Sequence, residues 1–428
     1  MTNFKRLRGT HDIHGEDVRL FQKVEGEARR IFKLFGFKEI RTPVMEEKEL
    51  FTRALGTETD VVQKEMYEFE DRSKTRIALR PEGTAGIVRA YLEDNFDKNE
   101  GLSKFYYIGP MFRSERPQAG RLRQFHQIGA EQLGTNSPYA DVETIQSLTV
   151  FLDSAGAAGY KVKLNNLGTF EERIKFKEKL KEFFIPKRSS LCEDCQKRLE
   201  KNVLRILDCK VENCRVFVKQ SPSIREFLTD ESKNHYAKVL EGLKLAGIAH
   251  SEDVYMVRGL DYYTKTVFEI SHPKLGAQDA LAAGGRYDSL IESFGGSKAG
   301  AVGFAIGVER LLMCLGEGAG KQEGFCPSFF IATLGEAAFK EGFKILSDLR
   351  KKGVKAVMDF EAKSLKSQMR SADKNKNRYV AILGDDELKK NILILKDMKD
   401  GSQKEMGLGN IVETLKTVIA MSEATKQS

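Results

Sequence analysis

Apolar residues recur at helical spacing through the first segment with a clear pattern. Leu20, Val24, Ala28, Ile31 and Phe35 fall on one stripe between Asp17 and Phe35, and Gly36 supplies a stop, which predicts a helix over that span. A short apolar stretch broken by Pro43 follows, then two strands within Lys64 to Arg80, then a helix after Pro81 through Ala85, Val88 and Leu92. From Lys104 to Leu133 the pattern becomes two strands around a polar loop. Period two on the second strand sets Phe125, Gln127, Gly129, Glu131 and Leu133 on one face and His126, Ile128, Ala130 and Gln132 on the other. Phe125 and Leu133 beside a Gln and a Glu argue that this face lines a pocket and is not simply solvated.

Phe170 to His250 is richer in Lys and Glu, reads as mostly helical and is expected to form an inserted subdomain. Strands are expected to return over Asp253 to Ile270 and near Leu281, followed by a strand-to-helix passage from Gly300 to Leu315. Beyond a Gly316 to Gly324 linker, strands at Ser328 to Leu334, Val354 to Met358, Tyr379 to Leu383 and Asn391 to Asp397 interleave with helices at Ala337 to Lys352, Ser364 to Asn375 and Ile411 to Met421. That alternation predicts a small α/β domain.

Length and charge sharpen this picture. A chain of 428 residues exceeds one ordinary core, and its 41% hydrophobic content can furnish two or three. The formal net charge is +8, and residues 325 to 428 hold 19 basic against 14 acidic side chains, so most of the excess sits in the last quarter. A polyanionic partner would therefore engage that end. No apolar run approaches the roughly 18 residues of a membrane span, and the polar N-terminus lacks a signal peptide's apolar core, so a cytoplasmic protein is expected, without a membrane partner.

The usual phosphate loops are missing. Gly316-Glu317-Gly318-Ala319-Gly320-Lys321-Gln322 has Leu315 in place of the first P-loop glycine and Gln322 in place of the Ser/Thr that holds Mg²⁺. Any nucleotide here must be gripped by side chains, for which arginine's planar fork is best suited. Arginines do stand in a series of short segments: Arg80-Pro81-Glu82-Gly83-Thr84-Ala85, Phe112-Arg113-Ser114-Glu115-Arg116-Pro117, Arg121-Leu122-Arg123-Gln124-Phe125, Arg258-Gly259-Leu260-Asp261-Tyr262-Tyr263-Thr264, Gly284-Gly285-Arg286-Tyr287-Asp288 and Gly307-Val308-Glu309-Arg310.

In order and spacing these segments resemble the histidyl-tRNA synthetases, from Arg8-Gly9-Thr10-His11-Asp12 to the last domain. The Phe-Arg-Ser-Glu and Gly-Val-Glu-Arg segments are similar to motifs two and three of every class II synthetase. Arg258 to Thr264 and Gly284 to Asp288 resemble the histidine-specific pair. The resemblance implies an α+β fold: a class II antiparallel-sheet catalytic core with a helical insertion, plus a C-terminal α/β anticodon-binding domain. The expected boundaries are 1–170 and 251–320 for the core, 171–250 for the insertion and 325–428 for the anticodon-binding domain.

It also implies ATP, with Mg²⁺ as its substrate complex, together with L-histidine and the tRNA for histidine as ligands, and a homodimer with motif one near Ile31 to Pro43 at its interface. By the same resemblance Arg113 holds the α-phosphate, Arg121 and Arg310 the outer phosphates and adenosine, and Arg258 bridges the α-phosphate and the substrate carboxylate. Preorganised cations answer the charge that grows on phosphorus oxygens. Glu82, Thr84 and Gln127 are assigned to the substrate ammonium. Glu131 and Tyr263, with Tyr287 nearby, are assigned to the imidazole, whose one donor and one acceptor a carboxylate and a hydroxyl can read. Arg116 and Gln118 would reach the tRNA acceptor end, and a basic stripe of Lys363, Lys366, Arg370 and Lys374 on one helix would meet the anticodon.

Four of the six cysteines cluster as Cys192-x2-Cys195 and Cys209-x4-Cys214, roughly the spacing of a four-thiolate zinc site. The resemblance weighs against a structural zinc, because these synthetases work without a required one, and the sequence reading therefore favours reduced thiols. Two rival functions stand beside the enzyme. A non-catalytic regulatory paralogue that binds histidine would lose the Arg258 segment or the last domain, and both are present. A class II synthetase for another amino acid would lack the histidine-specific pair.

Overall fold

The computed structural model describes residues 4–276, 278–316 and 326–427. The chain divides near Gly320 into two compact units. Most of the expected linker lies outside the described residues.

The first unit is built on an eight-stranded sheet. Its order is Lys38–Glu39, Ser103–Phe112, Gln124–Leu133, Ala301–Gly307, Ala280–Arg286, Thr264–Ser271, Lys161–Asn166 and His250–Glu252. The six inner strands are antiparallel throughout, whereas the two short edge strands pair in parallel. The sheet is thus antiparallel as expected, but for its rims.

Alternation decides the two layers. Ile128 and Ala130, with Tyr106, Phe268, Phe304 and Ile306 from neighbouring strands, face helices Gly15–Leu34, Pro138–Ala155 and Asp230–Leu245 and form one core. Gly15–Leu34 contributes Phe21, Val24, Ala28, Ile31 and Phe32; of the stripe that its periodicity marks out, Val24, Ala28 and Ile31 are buried, while Leu20 and Phe35 are only partly buried against this core. The opposite face of the sheet carries Phe105, Tyr107, Leu133 and Val267, packed with helices Lys48–Leu55 and Thr84–Glu93 and a three-stranded antiparallel sheet of Met45–Glu47, Arg76–Leu79 and Glu68–Glu70.

The segment from Asp253 to Tyr263 differs from expectation, being a loop between His250–Glu252 and Thr264–Ser271. Tyr262 and Tyr263 are both buried. Both enter the same core on one face of the sheet, which the alternation of a strand does not allow for successive residues, so the chain leaves the sheet here to seat them. The inserted region is helical, Phe170–Phe184, Glu193–Lys201 and Glu212–Val218 enclosing a small core of their own. No helix among the described residues is long and apolar enough to cross a membrane.

The second unit is a five-stranded sheet in the order Ala356–Met358, Cys326–Leu334, Asn377–Gly384, Ile392–Asp397 and Gln403–Gly407. The first three strands are parallel and the last two antiparallel. Helices Glu336–Lys351 and Ile411–Gln427 share one core with the sheet, and Leu365–Lys374 packs on the opposite side. Gln403–Gly407 escaped the sequence reading because it is a largely exposed edge strand with no apolar alternation.

Candidate active site

A cavity of about 450 Å³ opens on the face of the sheet that carries Gln127 and Glu131. Of the residues singled out in the sequence, it brings together Glu82, Thr84, Arg113, Arg121, Gln127, Glu131, Arg258, Tyr263, Tyr287 and Arg310.

Glu131 is buried, only 1% exposed, on the inner strand Gln124–Leu133. Its Oε1 accepts from the Thr84 hydroxyl at 2.8 Å and its Oε2 from the Tyr287 hydroxyl at 2.5 Å. Burial pushes this carboxyl up to about 8, against the lowering effect of both hydroxyls, with Glu82 adding to the rise. Space for the side chain comes from Gly303 on the adjacent strand, where a Cβ would overlap the carboxylate.

Glu82 begins the turn into helix Thr84–Glu93 and accepts from the backbone N–H of Thr84 at 2.6 Å and of Ala85 at 3.0 Å. The carboxylate thus serves the open donors of a helix start. Burial raises its pKa. Thr84 spends its hydroxyl proton on Glu131, which leaves only its lone pairs for other partners. Tyr263 is buried like Glu131, yet it is Tyr287 that bonds the carboxylate. Tyr263 instead places its ring 5.8 Å from the Arg258 guanidinium.

The arginines are less buried than the carboxyls. Arg113 donates from Nε to the Pro81 carbonyl at 2.9 Å and lies over the Phe125 ring. Glu115 stands between Arg121, at 3.1 Å, and Arg113, at 3.8 Å. Arg258 is anchored by Glu269 at 3.0 Å. Arg310 is held by the carbonyls of Ala280, at 2.9 Å, and Gln278. Its pKa is lowered by burial and then by the neighbouring Arg121, so two guanidiniums crowd one wall. Like charges placed together on a rigid frame favour an anion between them. Gln127 Oε1, Tyr107 Oη and Arg258 Nε are buried without a hydrogen-bond partner, all at or beside this cavity. Buried polar atoms left open at a cavity are where a polar ligand would be held.

Several residues at the cavity went unnoticed in the sequence. Tyr107 pairs across the strands with Gly129, and its ring covers both Gly129 and Gly83, where a Cβ would clash with it. Period two from Phe105 could have found it. Arg205 comes from the insertion, forms an ion pair with Asp60 at 3.3 Å and lines the cavity, and no local signal announces it. Glu309, beside Arg310, receives the His126 backbone N–H at 3.0 Å and thereby ties motif three to strand Gln124–Leu133.

Other arginines in the quoted segments are structural. Arg80 donates to the carbonyls of Thr42 and Pro110. Arg286, fully buried, binds Asp141 at 2.6 Å and the carbonyls of Thr135 and Ser137.

Arg116 and Gln118 lie outside the cavity, exposed on the hairpin between the motif-two strands, where Gln118 and Arg121 exchange backbone hydrogen bonds. In the second unit Lys366 and Arg370 are exposed on helix Leu365–Lys374, which turns Gln368 and Ala372 inward. Lys363 precedes that helix and pairs with Glu361 at 2.7 Å, so the expected four-residue helical stripe is shorter by its first member. The four clustered cysteines converge in the insertion.

Comparison with known proteins agrees with this arrangement. The histidyl-tRNA synthetase family profile matches residues 9–183 and 189–311, and an anticodon-binding domain profile matches 328–418. The chain is similar to the histidine–tRNA ligase of Thermodesulfovibrio yellowstonii, 45% identical over 414 residues that cover 96% of this chain and 98% of that protein. It is similarly close to that of Thermotoga maritima, 45% identical over 409 residues, covering 94% and 96%. Among solved structures, apo histidyl-tRNA synthetase from S. aureus superposes with a TM-score of 0.79 at 34% identity, covering 97% of this chain and all of that one. The profile match over most of the chain, and relatives of this identity along nearly its full length, establish that it belongs to the histidyl-tRNA synthetase family.

Proposed function

We propose that the chain activates L-histidine with Mg²⁺-bound ATP and passes the histidyl group to the 3′ end of its tRNA. The observation that carries the reading is the division of labour within one cavity. Buried carboxyls and tyrosine hydroxyls suit a small polar side chain with N–H groups, and the less buried guanidiniums of Arg113, Arg121, Arg258 and Arg310 suit a polyphosphate.

In activation an oxygen of the histidine carboxylate attacks the α-phosphorus of ATP, a P–O bond forms, and the bond to the bridging oxygen breaks to release pyrophosphate. Two anions must approach and charge grows on the phosphoryl oxygens. Arg113 and Arg258 are the groups assigned to that charge, each braced by an independent contact, so little reorganisation accompanies the reaction. Arg121 and Arg310 take the outer phosphates and adenosine. Glu131 with Tyr287 and Tyr263 reads the imidazole, and Gln127, Glu82 and Thr84 face the ammonium. The helix-capping bonds of Glu82 leave its remaining lone pairs and its negative charge for that role.

Transfer then joins a terminal tRNA hydroxyl to the activated carboxyl with loss of AMP. Arg116 and Gln118 are assigned to the acceptor end, and Lys363, Lys366 and Arg370 to the anticodon stem-loop. A cytoplasmic homodimer is the proposed working form. Support for the interface comes from Leu34, 71% exposed at the end of the first helix, beside the edge strand Lys38–Glu39. The catalytic reading is favoured over a regulatory paralogue because the Arg258 segment and the last domain both accompany relatives named as ligases.

Histidine-dependent exchange of labelled pyrophosphate into ATP tests the proposal. Exchange is expected with histidine and with none of the other nineteen amino acids. Its absence in folded protein would favour the paralogue.

A further inference from the structure

Cys192 with Cys195 and Cys209 with Cys214 are separated along the insertion, yet the four sulfur atoms all fall within 4.8 Å of one another. A tetrahedral zinc with Zn–S bonds of about 2.3 Å sets its sulfurs about 3.8 Å apart. The Cys192 to Cys209 separation is 3.9 Å, far beyond the roughly 2.05 Å of a disulfide. None of the four is in a disulfide.

The supports are those a thiolate site needs. Cys192 caps helix Glu193–Lys201 and Cys195 lies in its first turn, while Cys214 lies in the first turn of Glu212–Val218. Cys192 and Cys195 therefore sit at the start of one helix, where partial positive charge favours thiolate. The Cys192 backbone N–H donates to Cys214 Sγ at 3.2 Å, a further stabilisation of charge on sulfur. Three of the four are buried, which keeps competing water away.

The alternative is that these are small apolar core residues. Against it, three of the fourteen buried residues of this core are cysteines converging on one point, where aliphatic side chains would fill space better. A small core of this kind gains from a staple.

We infer that the insertion carries a structural zinc ion held by Cys192, Cys195, Cys209 and Cys214. The geometry thereby reverses the balance that the sequence alone favoured. Its consequence reaches the cavity, because the turn Val203–Ile206 that presents Arg205 to Asp60 lies between the two ligand pairs. The ion takes no part in the chemistry of activation and acts as a clamp on that turn.

The full-length protein, purified under reducing conditions from zinc-supplied cells, is expected to contain one zinc per chain by elemental analysis. Exchange with cobalt(II) should give the intense visible absorption of a tetrahedral tetrathiolate. Cys195→Ser and Cys209→Ser should each lose the zinc, while Cys314→Ser, at a buried thiol outside the cluster, keeps it. Limited proteolysis after chelation should cut first between residues 185 and 228. Substoichiometric zinc in folded, reduced wild-type protein together with no tetrahedral cobalt spectrum would overturn the inference, as would two disulfides found by mass spectrometry. Both wild-type measurements stand even if the serine variants fail to fold.

Discussion

Replacing Glu131 by Gln separates the charge of this side chain from its shape. In the free protein the carboxyl is held at about 8, so at neutral pH it is mostly protonated, and an amide reproduces that neutral state closely. What Gln cannot do is become an anion opposite a ring N–H. Hydrogen bonds to charged groups contribute about 1.5–3 kcal/mol and neutral ones about 0.5–1.5. Loss of the charged form should therefore cost ~1–2 kcal/mol, or roughly 5–30-fold in kcat/KM for histidine, with KM for ATP unchanged.

Stability gives an independent reading with a fixed sign. A folded value of about 8 lies above the ordinary 4.5, so between these the folded protein binds a proton that the unfolded chain releases. Stability contributed by this group is present below 4.5, falls as pH rises through the window and is fully lost above about 8. The upper bound is on the order of 5 kcal/mol, at about 1.4 kcal/mol per pH unit. Gln has no such dependence, so its melting temperature relative to wild type should climb between pH 5 and 9 in the absence of histidine. Pyrophosphate exchange across histidine concentrations, with thermal melts over that range, reads both effects. An unchanged histidine kcat/KM with parallel melting curves would refute the reasoning.

Arg258→Ala is expected to slow single-turnover adenylate formation by roughly a hundredfold or more while ATP binding changes little, because a preorganised donor is worth about 3 kcal/mol in the transition state. Arg258→Lys should rescue only part, and a folded, fully active Ala variant would exclude the assignment. Arg286→Leu leaves Asp141 buried, with His235 at 2.8 Å as its remaining side-chain partner among the described residues, and should destabilise the first unit by about 3–5 kcal/mol in denaturant titrations. Gly303→Ala drives a methyl group into the Glu131 carboxylate and should raise histidine KM more than ATP KM in steady-state exchange assays. Ending the chain near Gly320 should leave exchange measurable but sharply reduce tRNA charging, and equal charging by both forms would remove the proposed role of the second unit.

What the sequence by itself determined were the features written in local period and spacing. The stripe of the first helix, the two faces of Gln124–Leu133 and the strand–helix alternation after residue 326 are legible because side-chain direction follows backbone geometry over a few residues. The ordered arginine segments carried the family in the same way. Tertiary structure alone decided which of those residues spend their bonds on the scaffold. Arg286 and Arg113 look equivalent as letters beside strands, yet one closes a fully buried pair with Asp141 and the other lines the cavity. Glu82 turns out to cap a helix, Thr84 to support Glu131, and Arg205 to arrive from a distant part of the chain. The cysteines show the same limit, since their spacing allowed either loose thiols or a cluster. Only the fold, by bringing Cys192 and Cys195 against Cys209 and Cys214, converts separation along the chain into a distance between sulfur atoms.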